Sequence, residues 1–313
     1  MKCRICGSDE QTEVYYVREM MLGLRKMFPY FKCHDCGCLQ LNDIPADMSE
    51  FYPADYYCYS LEGKSSLRRS LRKIRDKYVV SGVGFIGKIL YMILPDETLR
   101  MYSGVSRESR ILDVGCGSGN QIRRLKDTGF KNLSGIDPYI PESILYSDGS
   151  TVEKKKLIEV VGKWDLITYH HSFEHLAYPL EELKKVSDLL SDNGSCLIRI
   201  PVVDSFAWNK YGTDWVQIDA PRHVFIYSVN SFEMLAQNAG FKIVKTEYDS
   251  TAFQFWGSEQ YKMDIPLYDK RSYSVNPGKS FFTNAQIDGY KAKAKSLNNV
   301  RMGDQAAFWL CKK

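Results

Sequence analysis

Two cysteine pairs open the chain, Cys3-x-x-Cys6 and Cys33-x-x-Cys36, with 26 residues between them and Gly7 or Gly37 after each second cysteine. Tight knuckles of this kind aim two sulfurs each at one ion, which is the spacing of a closed, tetrahedral four-thiolate zinc site. A closed site has no open position for a substrate, so a zinc ion on Cys3, Cys6, Cys33 and Cys36 is expected to be structural. Cys38 and His34 flank the second knuckle and stand as substitute ligands. Metal binding would also supply folding energy that about 40 residues cannot draw from a core.

A second group is Asp113-Val114-Gly115-Cys116-Gly117-Ser118-Gly119, set between a predicted strand and a predicted helix. Alternating glycines let the backbone turn tightly and let a flat ligand approach without β-carbons in the way. Asp137 ends the next strand, 18 residues past Gly119. A carboxylate there can accept hydrogen bonds from both hydroxyls of a ribose. The spacing differs from the G-x-G-x-x-G of nicotinamide sites and suits an adenosine ligand without a pyrophosphate.

Histidines form the third group: His170, His171, His175 and His223 are four of the five in the chain and fall in two short segments. Imidazole, with a pKa near ~6.5, suits removal of one proton. His175, in an E-H-L turn, could equally cap or orient a helix start. A divalent metal held by Glu174, His175 and His223, with His171 as fourth ligand, is a further reading.

The elements that must position these groups follow from periodicity. RILDVGCG reads as a buried strand, and NQIRRLKDTGF as a helix with Ile122 and Leu125 inward and Gly129 as its stop. NLSGIDP and KWDLITYH read as strands. PLEELKKVSDLL repeats Leu180, Leu183, Val186 and Leu190 on one face. SCLIRIP is the next strand, SVNSFEMLAQNAGF a helix capped by Ser228, and FKIVKTEY and QAAFWLCKK the last two strands. Strands alternating with helices imply a mostly parallel α/β sheet. The expected division is 1–45 for the cysteine ribbon, 46–102 for a connector and 103–313 for the α/β domain.

Composition narrows the partners. The chain has 313 residues, 44% hydrophobic and 26% charged, with 42 Lys and Arg against 38 Asp and Glu. A net charge of +4 does not mark a dedicated nucleic-acid binder, so no nucleic-acid partner is expected. Lys64 to Lys77 concentrates seven cations against one acid, and Leu67, Leu71, Ile74 and Tyr78 recur at helical spacing within it. That basic amphipathic helix reads as a solvated face, as an attractor for an anionic substrate, or as a weak dock on an anionic membrane surface. Nine cysteines without a secretory leader point to a cytoplasmic protein with metal-bound or buried thiols. The longest apolar stretch, Val79 to Leu94, is too short and broken to span a bilayer.

From Ser103 to Lys313 the chain resembles the class I S-adenosylmethionine-dependent methyltransferases, carried by LDVGCGSG, by Asp137 at the end of the second strand and by WDLITYHHSFEHL. The resemblance implies that Asp113, Gly115, Cys116, Gly117 and Gly119 wrap the methionine part of the donor. Asp137 and Pro138 would border its ribose, and His170 would lie beside it. It also implies a seven-stranded Rossmann-like sheet in the order 3-2-1-4-5-7-6, QAAFWLCKK being the antiparallel seventh strand. The third-strand region, Thr151 to Leu157, departs from the family pattern: no clear acid stands there for the adenine amino group, Glu153 is a candidate, and the contact stays unassigned.

With the cysteine ribbon included, the chain is similar to the sugar methyltransferases of glycan and deoxysugar biosynthesis, again through DAPRHVFIYSVNSFEMLAQNAGF. The expected partner is then a small-molecule sugar. In the C-methylating members a histidine preceded by a glutamate serves as base on a 4-keto sugar. His223 matches the histidine, while Arg222 stands at the glutamate position and is free to grip a substrate phosphate or carboxylate. His223, His175 and His171 are thus the candidate proton-transfer groups. Trp208, Tyr211 and Trp215 read either as a cap over a sugar ring or as plain packing. The rival readings are a methyltransferase for RNA, protein or another small metabolite, and a donor-binding scaffold without catalysis.

Overall fold

The computed structural model describes residues 2–53 and 66–313. The amino-terminal strands are β1 (Gln11–Arg18), β2 (Met27–Cys33) and β3 (Leu39–Leu41), followed by helices α1 (Ser66–Ser81) and α2 (Phe85–Ile93). Next come β4 (Arg110–Val114), α3 (Asn120–Asp127), β5 (Asn132–Ile136), β6 (Ile144–Leu145), β7 (Thr151–Glu153), β8 (Trp164–His170), α4 (Pro179–Leu189) and β9 (Leu190–Pro201). The remainder holds α5 (Phe206–Tyr211), β10 (Phe225–Ile226), α6 (Val229–Asn238), β11 (Phe241–Tyr248), α7 (Phe253–Lys262), α8 (Asn284–Asn299) and β12 (Gln305–Lys312). The chain divides into two compact units. One comprises Met1–Pro53, His171–Ser187 and Leu197–Lys313, the other Ala54–His170 and Asp188–Cys196. This partition does not follow the linear division 1–45, 46–102 and 103–313.

In the unit of Ala54–His170, β8, β4, β5 and β7 lie side by side in that order. All three pairings are parallel. Ile111 to Val114 are buried without a break, as a strand covered on both faces must be. Helix α3 starts at Gly119, buries Ile122 and Leu125, and is followed by Gly129 at φ 105°, as the spacing predicts. Two-residue β6 adds antiparallel beside β7, a strand that the seven-strand order lacks. Gly149, at φ 79°, lets the chain turn back there, and Tyr146 N–H closes on Ser150 O at 2.9 Å.

Helix α1 forms where the basic periodicity places it; Ile74 and Tyr78 of its stripe lie against α2, and a second face is buried. Leu67, Leu71 and Ile74 are exposed, while Asp76 and Val80 are buried. Asp76 accepts from Arg75 and twice from Arg124, and both arginines also reach Asp96 at 2.9 Å. The single acid of the window is therefore the anchor of a partly buried charge network. A charge buried this way is retained only when hydrogen-bonded on several sides, which Asp76 is.

In the other unit, β1, β2 and β3 form an antiparallel meander, and β10 joins beside β3. The cysteine-bearing strands are thus stitched to residues near 225 rather than forming a separate ribbon domain. Tyr30 OH donates to His223 O at 2.7 Å, and Ser228 Oγ donates to Cys36 O. Trp208, Tyr211 and Trp215 belong to the core cluster with Tyr30, Leu39 and Ile218. Trp215 is 1% exposed, so this trio packs the core rather than capping a sugar. Helix α6 is capped by Ser228, whose Oγ accepts from Ser231 N–H. Strands β11 and β12 pair antiparallel, as expected of the carboxy-terminal strand. Among the described residues no helix is long and apolar enough to cross a membrane.

Candidate functional site

Gly7 and Gly37 adopt φ 80° and 75°, and each donates its N–H to the first cysteine's carbonyl at 3.0 Å, closing the two knuckles. Cys3 and Cys36 sulfurs lie 3.6 Å apart, Cys6 and Cys33 sulfurs 3.5 Å apart, and all four lie within 4.8 Å of one another. Metal–sulfur bonds of about 2.3 Å in a tetrahedron set the sulfurs roughly 3.8 Å apart, so the cluster fits one such ion. Gln40 Nε2 donates to Cys3 Sγ at 3.1 Å, a contact that steadies a thiolate. The Cys36 hydrogen bond leads in holding the Cys3 thiol down to about 4, and the same bond pushes Cys36 up. Cys38 is buried with its sulfur toward the Leu39 and Ile226 carbonyls, and exposed His34 sits beside Glu10 and Asp35. Neither substitutes in the cluster.

The glycine loop leaves β4 with Gly115, Gly117 and Gly119 at φ 70°, 53° and 74°, where side chains are strained. Gly115 and Cys116 N–H groups donate to Ile136 O, and Gly117 N–H donates to Asp137 Oδ2 at 2.9 Å. The other Asp137 oxygen accepts from Tyr139 N–H at 2.8 Å. Each carboxylate oxygen keeps acceptor capacity for a further donor, so the acid can hold the loop and a ribose diol together. Burial raises the Asp137 pKa against these hydrogen bonds. Pro138 follows directly, half-buried.

Asp113 is buried beneath this loop, and Thr168 Oγ1 of the neighbouring β8 donates to it at 2.8 Å. Burial pushes its pKa up to about 7, with Thr168 opposing and the Asp137 charge assisting. A raised acid is stabilised as its protonated form. Ionising it costs the fold stability progressively between about pH 4 and 7, and a bound cation such as an ammonium or sulfonium offsets that cost. Cys116 contributes backbone, not thiol: a β-carbon on Gly135 would stand 2.6 Å from its sulfur, which faces inward. His170 Nε2 lies 2.7 Å from Tyr102 OH and 3.0 Å from Gln121 Nε2, at the end of β8. Loop, Asp113, Asp137 and His170 all belong to the parallel-sheet unit.

The remaining histidines gather in the other unit around Glu174. Glu174 is fully buried, and among the described residues neither of its oxygens has a hydrogen-bond partner. His171 Nδ1 stands 3.4 Å and His223 Nε2 3.7 Å from Oε1. Burial pushes the Glu174 pKa up, but the His171 contact and the charges of His223 and His175 outweigh it and hold the group at about 2. Burial and His223 push His175 down to about 4, so it is neutral at pH 7. His223 Nδ1 is 2.8 Å from Gln217 O, and His175 Nδ1 is 2.9 Å from Arg222 O. Carbonyls only accept, so both Nδ1 atoms carry protons and both Nε2 atoms are the basic ones. His223 Nε2 thus faces the Glu174 carboxylate, a place that suits a proton taken up in a reaction or a metal cation. Glu174, His175 and His223 offer ligand atoms within 4.8 Å of one another.

Arg222 does not grip a substrate anion. Its side chain is fully buried, and it donates to Asp219 at 2.6 and 2.9 Å, to Glu19 at 2.8 Å and to Phe51 O. Glu19 in turn accepts from Leu22 and Leu24 N–H. Arg222 therefore pins the segment that carries His223. Arg222→Ala is expected to destabilise the protein by about 3–5 kcal/mol, the usual cost of orphaning buried charge partners. Urea unfolding monitored by circular dichroism checks this. Asp219 and Glu19 were not legible as site residues, because Glu19 lies 203 positions away in sequence.

Residues 90–246, half of the chain, match the family model of a methyltransferase domain. The tRNA U34 carboxymethyltransferase of Azotobacter vinelandii is 30% identical over 156 residues, covering 44% of this chain and 47% of that protein. The ubiquinone biosynthesis O-methyltransferase of Nitrosococcus oceani is 25% identical over 183 residues, covering 54% and 68%. The chain thus spans about half the length of the first relative and two thirds of the second. A solved SAM-dependent methyltransferase from Archaeoglobus fulgidus aligns at 19% identity and a TM-score of 0.42, over 69% of this chain and 91% of that one. With its glycine loop, its acid at the end of the following parallel strand and half its length matched, the chain belongs to the methyltransferase-domain family.

Proposed function

We propose that the chain transfers a methyl group from S-adenosylmethionine to a sugar, carried as a nucleotide sugar or glycan precursor. The donor supplies an electrophilic methyl on a sulfonium, and Asp113, the 115–119 glycine loop and Asp137 are the residues that would hold it. What carries the reaction type is the Glu174–His223 arrangement. A buried, ionised carboxylate faces the basic nitrogen of an imidazole whose other nitrogen is fixed by a carbonyl. Such an imidazole can take one proton at Nε2 from a hydroxyl or an acidic carbon, and the Glu174 carboxylate beside that nitrogen stabilises the resulting imidazolium. The sugar assignment is supported by the four-cysteine cluster together with His223 in the segment after β9. Incubation with methyl-labelled donor and a panel of nucleotide sugars, with tRNA and a ubiquinone precursor as the acceptors the relatives' names point to, tests it. Label in a sugar supports the assignment; label only in tRNA or the ubiquinone precursor overturns it.

A second reading rests on the unsatisfied Glu174 oxygens. A divalent cation on Glu174, His175 and His223 would satisfy them and would orient or acidify the acceptor instead of a free imidazole base. Chelator-treated protein that keeps full turnover excludes it.

At the amino terminus we propose one structural zinc ion on Cys3, Cys6, Cys33 and Cys36. Cys33→Ser is expected to lose the metal and to lower the unfolding temperature, because binding energy is folding energy for such a site. Elemental analysis of pure protein checks it; zinc-free wild-type protein with an intact fold would contradict it.

A further inference from the structure

Helix α2 turns its apolar stripe away from the protein. Phe85, Ile86, Ile89, Met92 and Ile93 recur at helical spacing, and all are exposed, Phe85 at 78% and Met92 at 72%. The opposite side does the packing. Gly87 is buried, and a β-carbon there would stand 2.5 Å from Tyr78 Cβ and 2.8 Å from Ile74 O, so α2 lies on α1 at close backbone approach. Tyr91 adds a ring contact to Tyr78 at 5.9 Å. Leu67 and Leu71 of α1 and Leu94 after α2 extend the exposed apolar surface.

Cations surround this surface. From Ser66 to Leu94 there are seven cations and one acid, and that acid, Asp76, is buried under Arg75 and Arg124. Arg68, Lys77 and Lys88 are exposed, while Arg69 and Lys73 pair with Asp127. A cavity of about 650 Å³ beside α1 is lined by Leu71, Leu90 and Leu94 and by Arg68, Arg72 and Arg75 on one side, and by Asp96 and residues 120, 121 and 124 of α3 on the other. Exposed apolar side chains rimmed by cations form the surface that enters an anionic lipid interface. A second copy of the chain is a poor occupant, because self-pairing of this face would bring two cationic clusters together. Nine residues of helix are also far short of the roughly 20 needed to cross a bilayer, so α2 would lie in the interface plane.

We propose that α1 and α2 dock the protein on an anionic lipid bilayer, with the stripe of α2 entering the headgroup–acyl boundary and Arg68, Lys77 and Lys88 meeting lipid phosphates. This proposal is independent of the methyl acceptor. Flotation of the full-length protein with vesicles of phosphatidylcholine and about one third phosphatidylglycerol tests it, against vesicles of phosphatidylcholine alone. Partitioning should favour the anionic vesicles at least ~10-fold at low salt and fall at high salt, given about fivefold per cation near such a surface. Ile86→Asp/Met92→Asp changes only exposed positions and should abolish binding while leaving the circular dichroism spectrum intact. Phe85→Trp should gain fluorescence quenching by lipids brominated on the acyl chain. Equal partition into neutral vesicles, no quenching at position 85, or a self-association that Ile86→Asp/Met92→Asp removes while lipid binding is absent would each overturn the proposal.

Discussion

Asp137→Ala is expected to weaken S-adenosylmethionine binding by roughly 30- to 1,000-fold, or about 2–4 kcal/mol. That is the cost of losing charged hydrogen bonds to two ribose hydroxyls. The carboxylate has a second task, since it also accepts from Gly117 and Tyr139 N–H groups and ties the glycine loop to the end of β5. Asp137→Asn separates the two effects, because the amide oxygen can still hold one backbone donor while the charge is gone. Calorimetric titration reads both variants. Wild-type affinity in Asp137→Ala would mean that the loop binds something other than an adenosine donor.

His223→Ala is expected to leave donor affinity within about twofold and to lower the methyl-transfer rate by roughly 10²–10⁴, the usual worth of a positioned general base. The donor-site candidates make their own hydrogen bonds: Asp113 accepts from Thr168, and Asp137, after β5, accepts from Gly117 and Tyr139, while His223 Nδ1 faces Gln217 O. Single-turnover measurements with labelled donor read the chemical step. An unchanged rate would remove His223 from the reaction and turn attention to His171 and His175. If the rate of wild-type protein also falls on chelation and returns with a divalent ion, the Glu174 cluster works as a metal centre.

What the sequence displayed clearly was local. The glycines at 115, 117 and 119 and the acid at 137 are set by one βαβ unit, so their spacing alone carries their placement. The cysteine knuckles are equally local, and glycine after each second cysteine marks the left-handed turn that the structure uses. Groups whose meaning depends on distant partners were not legible. Arg222 looks like a free cation beside His223, but Asp219 and Glu19 claim it, and Glu19 comes from the far end of the chain. The periodicity of α1 marks a helix but not its buried face: Asp76, the one acid of the window, is buried with Arg75 and Arg124, while Leu67 and Leu71 are exposed. Trp208, Tyr211 and Trp215 look equally fit for a sugar or a core, and only the packing against Tyr30 and Leu39 decides for the core. Strand β6, two residues long, is below the length at which alternation can be read.

Titration of S-adenosylhomocysteine, the product of the donor, into the full-length protein tests the central claim most directly. Binding at one site per chain, competitive with S-adenosylmethionine, is the predicted result. Failure to saturate at any concentration up to the millimolar range, with a folded protein, would contradict it.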